Sequence, residues 1–166
     1  MKKILLAILV LGLAGAGYFL LKNAEIVQNI GGGQKYVHEN PNFSFSYEGD
    51  YKISSIADAD DSSETILVSR SVLDTPNAFQ MQIFIEPFDE DIALTADRIK
   101  RDIPDIKMKD EKEMEIGKTK GTAFTDLDQN TREIWFVHQG YLFQASSRLE
   151  DGRMMEEIMK GWKWGD

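Results

Sequence analysis

Hydrophobic and polar positions alternate with a period of two over much of this chain. Phe43, Phe45 and Tyr47 alternate with serines and a glutamate, which is the pattern of a strand with one buried face. The same alternation predicts strands over 65–71 and over 79–87, where Pro87 ends the pattern. The segment 43–87 is therefore predicted to contain several short β-strands.

The pattern of alternation returns after residue 112. It predicts strands around 113–116, 118–127, 132–138 and 141–147, with Gln139-Gly140 as a tight hairpin loop between the last two. The run from Ile134 to Val137 is apolar at every position. This indicates a central strand that is covered on both faces.

Two segments change to a helical period. Ile92, Ala96, Ile99 and Ile103 lie at helical spacing, and Pro104 ends the segment. Near the C-terminus, Asp151 is a candidate N-cap. Five apolar residues follow it at helical spacing, and they predict a core-facing stripe rather than an adaptable partner groove: Met154, Met155, Ile158, Met159 and Trp162.

The links between the predicted strands are mostly short. Short links favour antiparallel neighbours, so we expect an antiparallel β-sheet flanked by helices, in the α+β class. The expected domain covers 36–166.

The N-terminus has the pattern of a membrane anchor. Lys2 and Lys3 precede 18 uncharged residues, 4–21, which reach about 27 Å as a helix. The positive-inside rule places the N-terminus in the cytoplasm and the domain outside. We therefore interpret 1–21 as a single transmembrane helix and 22–35 as a stalk with a flexible glycine joint at 31–33.

A cleaved signal peptide is the alternative interpretation of this segment. Ala14-Gly15-Ala16 is a small-residue cleavage site after an apolar run, and cleavage would give a secreted domain. Gly12 and Ala16 have a spacing that can bring two membrane helices close together.

Composition excludes several kinds of chemistry. The chain of 166 residues has no cysteine, so disulfides, thiolate nucleophiles and zinc–thiolate sites are impossible. The net charge is −9, and the only basic residues between 36 and 97 are Lys52 and Arg70. A nucleic-acid partner needs a basic surface, so we expect none, and we interpret the charge as a solvated acidic surface, with a basic partner or a cation as the alternative. A protein partner is expected on other grounds, the tether and the absence of a catalytic motif.

Acidic residues form two candidate cation sites. Asp126, Asp128 and Asn130 have the spacing of the start of an EF-hand loop, but Thr131 and Val137 replace its required glycine and glutamate. We interpret this segment as a polar hairpin turn. The stretch Asp58-x-Asp60-Asp61-x-x-Glu64 is interpreted as a solvated loop, with a hard cation as the alternative.

No catalytic motif is present in the sequence. His38 lies in the entry segment and His138 at a strand end, and neither has a nucleophile elbow or triad signature around it. We expect His138 to be a structural or exposed strand residue. We assign no catalytic, cofactor-binding or metal-binding residue and no cofactor. A metal-assisted or acid–base enzyme that uses the acidic loops is the alternative to a binding domain.

The two ends of the domain resemble the PsbP-like family, the fold of an extrinsic photosystem II subunit. Phe43-Ser-Phe-Ser-Tyr47-Glu-Gly-Asp-Tyr51 is similar to the family's opening, although Glu48 stands where the family often has proline. The hairpin at 134–147 and the helix and terminal aromatic strand at 154–164 are similar to its ending. The resemblance implies an α/β/α sandwich and a role in binding or assembly without known catalysis. The metal-contacting residues of the family match no position here.

Overall fold

Eleven strands in two antiparallel sheets make up most of the described chain. The computed structural model describes residues 28–30, 33–48, 51–57, 63–70, 79–90 and 92–165. The strands are β1 (Gln28–Ile30), β2 (Gly33–His38), β3 (Phe43–Glu48), β4 (Tyr51–Ala57), β5 (Glu64–Arg70), β6 (Gln80–Pro87), β7 (Met108–Ile116), β8 (Thr119–Asp126), β9 (Thr131–His138), β10 (Tyr141–Arg148) and β11 (Lys163–Trp164). The helices are α1 (Ala96–Asp102) and α2 (Gly152–Lys160), and a 3-10 turn at Leu149–Asp151 precedes α2.

The larger sheet has seven strands in the order β4-β5-β6-β10-β9-β8-β7. It consists of two meanders, β4-β5-β6 and β7-β8-β9-β10, which join where β6 pairs with β10. The segment that contains α1 carries the chain from β6 in the centre to β7 at the far edge. The predicted antiparallel pairing is confirmed. The crossover from β6 to β7 was not predicted.

The expected fold, an antiparallel β-sheet flanked by helices in the α+β class and an α/β/α sandwich by resemblance, is wrong, because the described chain is mostly strand with two short helices. The first strands and the last strand form a second sheet of their own, in the order β1-β2-β3-β11, which packs with α2 on one face of the large sheet. The two helices span only 7 and 9 residues, too short to form covering layers alone. The second sheet takes the place of a helical layer because β3 contributes three buried rings, Phe43, Phe45 and Tyr47.

Aromatic side chains fill the space between the two sheets. Trp162, in the link from α2 to β11, stacks on Phe43 with ring centroids 4.2 Å apart. It also meets Phe136 of β9 and Phe143 of β10 edge to face. This side chain therefore contacts both sheets at once.

The other face of the large sheet has a smaller apolar cluster. Leu94 and Ile99 from the α1 segment pack there against Trp135 and Val137 of β9. Every residue of β9 from Arg132 to Val137 is buried, which confirms the predicted central strand. The predicted hairpin loop between β9 and β10 is also confirmed, since Gln139 and Gly140 both have positive φ values.

Both helices differ from the sequence patterns at their starts. The first was expected from Ile92, but it begins at Ala96, because the Thr95 side chain accepts a hydrogen bond from the Arg98 amide and caps it there. Asp151 occupies the N-cap position of α2 as expected, but its side chain makes no capping hydrogen bond, and its carboxylate pairs with Arg148 instead. Met155, Ile158 and Met159 of the predicted stripe are buried, whereas Met154 is exposed.

The predicted anchor (1–21), with Gly12, the Ala14-Gly15-Ala16 site and Ala16, lies outside the described residues. Within the part of the chain that the structure describes, no helix is long and apolar enough to cross a membrane. β1 and the first half of β2 lie inside the segment interpreted as the stalk, and Gly33 of the glycine joint begins β2.

Candidate functional site

The outer face of the large sheet lies opposite the small sheet, and the residues that the structure describes cover only part of its width. Directly paired residues of antiparallel strands share a face, so the pairings identify its members. The α1 segment covers β8, β9 and β10, where the apolar cluster contains Phe124, Trp135 and Leu142. None of the residues in that cluster comes from β4, β5 or β6. We call the outer side of these three strands the open face.

The centre of the open face is uncharged, whereas Lys52 of β4 and Glu86 of β6 lie on the same face toward its ends. Leu67 of β5 pairs with Ser54 of β4 and Gln82 of β6, and Thr65 pairs with Phe84. All five side chains are partly exposed. Ile56, at the edge, is 58% exposed. Serine, threonine and glutamine therefore surround a few apolar side chains on this surface.

Glu133 of β9 lies on the outer face between the covered part and the open face, and it is buried. Its Oε1 accepts hydrogen bonds from the hydroxyls of Thr131 at 2.6 Å and Ser146 at 2.7 Å. Its Oε2 accepts one from the indole N–H of Trp135 at 3.0 Å. Burial raises the pKa of Glu133 to about 7, and these three hydrogen bonds oppose that shift only in part.

A carboxyl group with this pKa can exchange a proton near neutral pH, which acid–base catalysis requires. Here, however, both oxygens are hydrogen-bonded within the protein, and the residue is only 7% exposed. Nothing in this arrangement presents the proton to a substrate. Glu133 was not predicted from the sequence, although a charged residue directly before the apolar run 134–137 is a detectable signal.

Gln144 of β10 is a second buried polar residue on the outer face. It pairs across the strands with Trp135 on one side and Phe84 on the other. It is 8% exposed, and its side-chain nitrogen has no hydrogen-bond partner among the described residues. A buried amide without a hydrogen-bond partner lowers the stability of the folded protein. Gln144 lies at the boundary between the covered part and the open face, so this cost falls there.

The EF-hand-like segment forms the polar hairpin turn that the sequence predicts, between β8 and β9. Asp126 Oδ1 accepts hydrogen bonds from the amides of Asp128 and Gln129. Asp128 pairs with Lys107 at 2.7 Å. The carboxylates of the turn are thus used in local hydrogen bonds and an ion pair. Within the described ranges, no group of three or more potential metal ligands converges.

Of the acidic stretch, residues 58–62 lie outside the described residues. Glu64 is described, and it faces His38 across the sheets at 2.8 Å. His138 lies elsewhere, at the end of β9, where its ring stacks on Trp164 and its Nδ1 is 2.9 Å from the Thr119 hydroxyl. The structure does not bring the two histidines together.

A shallow cavity of about 270 Å³ lies between the start of α1 and the β7-β8 hairpin. Its charged lining residues are paired: Lys112 with Glu156, Lys120 with Glu113, and Glu111 with Lys100. An enzyme of the alternative type requires carboxylates that converge in a deep pocket. This cavity has mixed charges that neutralise one another.

No known family model matches the chain, and no curated protein is significantly similar to it in sequence.

Proposed function

We propose that this chain is a membrane-anchored binding or assembly domain on the extracytoplasmic side, and that its open face receives a protein partner. The tether is the uncharged segment 4–21 that follows Lys2 and Lys3. The proposal keeps the binding role that the PsbP-like resemblance implies, but not the α/β/α architecture.

The observation that supports this role best is the composition of the open face. The chain has 28% charged residues, yet Ser54, Thr65, Leu67, Gln82 and Phe84 form a patch without charge. The centres of protein–protein interfaces are depleted of charge and enriched in aromatic side chains. A nucleic acid or a metal ion would instead require a charged surface.

The test introduces charge into the open face. Leu67→Lys and Gln82→Lys place a cation in the centre of the patch, where a docked partner would bury it, so we expect each to reduce capture of the partner at least tenfold. The measurement is crosslinking in native membranes, followed by purification of the full-length chain and quantitative mass spectrometry.

Leu127→Lys is the matched control, because Leu127 is 52% exposed and lies in the β8-β9 turn, away from the open face. We expect this variant to capture the partner as the wild type does. Equal thermal unfolding temperatures for the three variants would show that folding is intact. Capture that is unaffected by lysine at 67 and at 82 would rule out the open face as the docking surface.

A further inference from the structure

A partly buried histidine–carboxylate pair joins the two sheets. His38 is the last residue of β2 in the small sheet, and Glu64 is the first residue of β5 in the large sheet. The ring nitrogen Nε2 of His38 is 2.8 Å from Oε2 of Glu64. The histidine is 7% exposed, so water screens this contact poorly.

The neighbours of the His38 ring determine where its protons are. Nδ1 is 2.9 Å from the carbonyl oxygen of Pro41, which can only accept, so Nδ1 must carry a proton. The hydrogen bond from His38 lowers the pKa of Glu64, with burial opposing, so this carboxylate is ionised at neutral pH and also accepts. A doubly protonated ring satisfies both acceptors at once, as an imidazolium paired with a carboxylate.

Four of the described strands surround the pair: β2, β3, β4 and β6. β3 presents the Phe43 ring, which stacks on His38 with centroids 4.7 Å apart. β2 contributes Tyr36, with its ring centroid 6.3 Å away. β4 gives Glu64 a hydrogen bond from Ser55, and β6 places Ile85 opposite Glu64. The titratable groups around His38 in the described structure are thus Glu64, Tyr36 and the exposed Glu39 of the adjoining turn.

We propose that His38 and Glu64 form a pH-dependent latch, which holds the end of β2 against β5 and opens when Nε2 loses its proton. A neutral ring with its proton on Nδ1 turns the Nε2 lone pair toward the carboxylate, and two acceptors repel each other. Phe43 remains buried with Trp162, so the opening is local to the end of β2, the following turn and the start of β5. This inference is independent of the proposed partner.

The direction of the pH effect follows from linkage. A histidine that gains a carboxylate partner on folding contributes its full stabilisation below the ordinary histidine pKa of about 6.5. That contribution is lost as the pH rises through the titration of the folded imidazolium. For Glu64, whose pKa is lowered, the contribution is present above the ordinary glutamate pKa and is lost in acid. The latch is therefore closed around pH 6 and opens toward alkaline pH.

Hydrogen exchange of the full-length chain in detergent micelles tests the latch. Between pH 6 and pH 9, after correction for intrinsic exchange rates, we expect protection of the amides in β2 and at the start of β5 to fall about tenfold relative to those in β9 and β10. His38→Gln retains hydrogen bonding but cannot be charged, so its protection should be low and independent of pH. Glu64→Gln should behave in the same way.

His138→Gln is the matched control, because it removes the other histidine of the chain and should leave the wild-type pH response of β2 unchanged. A wild-type response that persists in His38→Gln, or one that disappears in His138→Gln, would overturn the latch. Nitrogen-15 spectra of the His38 ring provide a test that needs no variant. Both ring nitrogens should be protonated at pH 6, and a neutral ring there would contradict the proposal.

Discussion

Replacing Trp162 with alanine is expected to lower the free energy of unfolding by about 3–5 kcal/mol, the range for deletion of a buried aromatic side chain. Trp162 is 2% exposed and stacks on Phe43 of the small sheet. On the other side it contacts Phe136 and Phe143 of the large sheet. The cavity left by alanine would lie between the two sheets, at the centre of the core.

Trp162→Phe is the matched comparison. The indole N–H of Trp162 is buried without a hydrogen-bond partner among the described residues, so phenylalanine removes an unpaired donor while it retains an aromatic ring. Phenylalanine lacks three heavy atoms of the tryptophan side chain, so it leaves a smaller cavity than alanine does, and we expect a smaller loss of about 1–2 kcal/mol. Chemical denaturation of both variants measures the difference. Similar losses for alanine and phenylalanine would contradict the role of the ring between the sheets.

Replacing Glu133 with glutamine is expected to make the protein's stability less dependent on pH. The pKa of this buried carboxyl is raised from 4.5 to about 7. As the pH rises above 4.5, the unfolded chain loses this proton while the folded chain keeps it, so the wild type loses stability until about pH 7. Each pKa unit corresponds to about 1.4 kcal/mol, so the whole loss is about 3 kcal/mol.

The measurement is the free energy of unfolding of wild type and Glu133→Gln at pH 5 and at pH 8. Because part of the loss has already occurred at pH 5, the difference between the two proteins should change by about 2.5 kcal/mol in favour of the variant at pH 8. A change in the free energy of unfolding that the glutamine amide causes near the Trp135 N–H is the same at both pH values, so it cancels in this comparison. Glu113→Gln, at an exposed side chain of β7, should show no such change. An equal pH response in wild type and Glu133→Gln would show that Glu133 is ionised in the folded protein.

Local patterns in the sequence predicted most strands but could not assign them to sheets. Phe43, Phe45 and Tyr47 alternate in the same way as Ile66 and Val68, yet the first group lies in the small sheet and the second in the large one. Alternation reports that a strand has one buried face and does not identify its neighbours. The fourth strand of the second sheet, β11, pairs with β3 over a separation of more than a hundred residues, which local patterns cannot predict.

The candidate site was less predictable because its contacts join distant segments. The acidic stretch and His38 were both noted in the sequence, but only the packing of β2 against β5 shows that Glu64 and His38 are partners. The buried state of Glu133 was not predicted, because its hydrogen-bond donors include Ser146 on the neighbouring strand, and the sequence does not show that the two residues are adjacent. The open face required the sheet order, because its members come from three strands.

The membrane-held, extracytoplasmic location of the domain is the central claim of the proposed function. Because the natural chain has no cysteine, one introduced thiol can report its location without background. Leu127→Cys places the thiol at an exposed turn of the domain, and a cysteine inserted after Met1 places it at the predicted cytoplasmic end.

The measurement is labelling with a membrane-impermeant maleimide in cells whose cytoplasmic membrane is intact, followed by an alkaline carbonate wash of the membranes. We expect the thiol at 127 to react, the N-terminal thiol to react only after permeabilisation, and the full-length chain to stay in the membrane pellet. A protected thiol at 127 would contradict the extracytoplasmic location. A labelled chain released by the wash, with a new N-terminus after Ala16, would show a secreted domain and contradict the anchor.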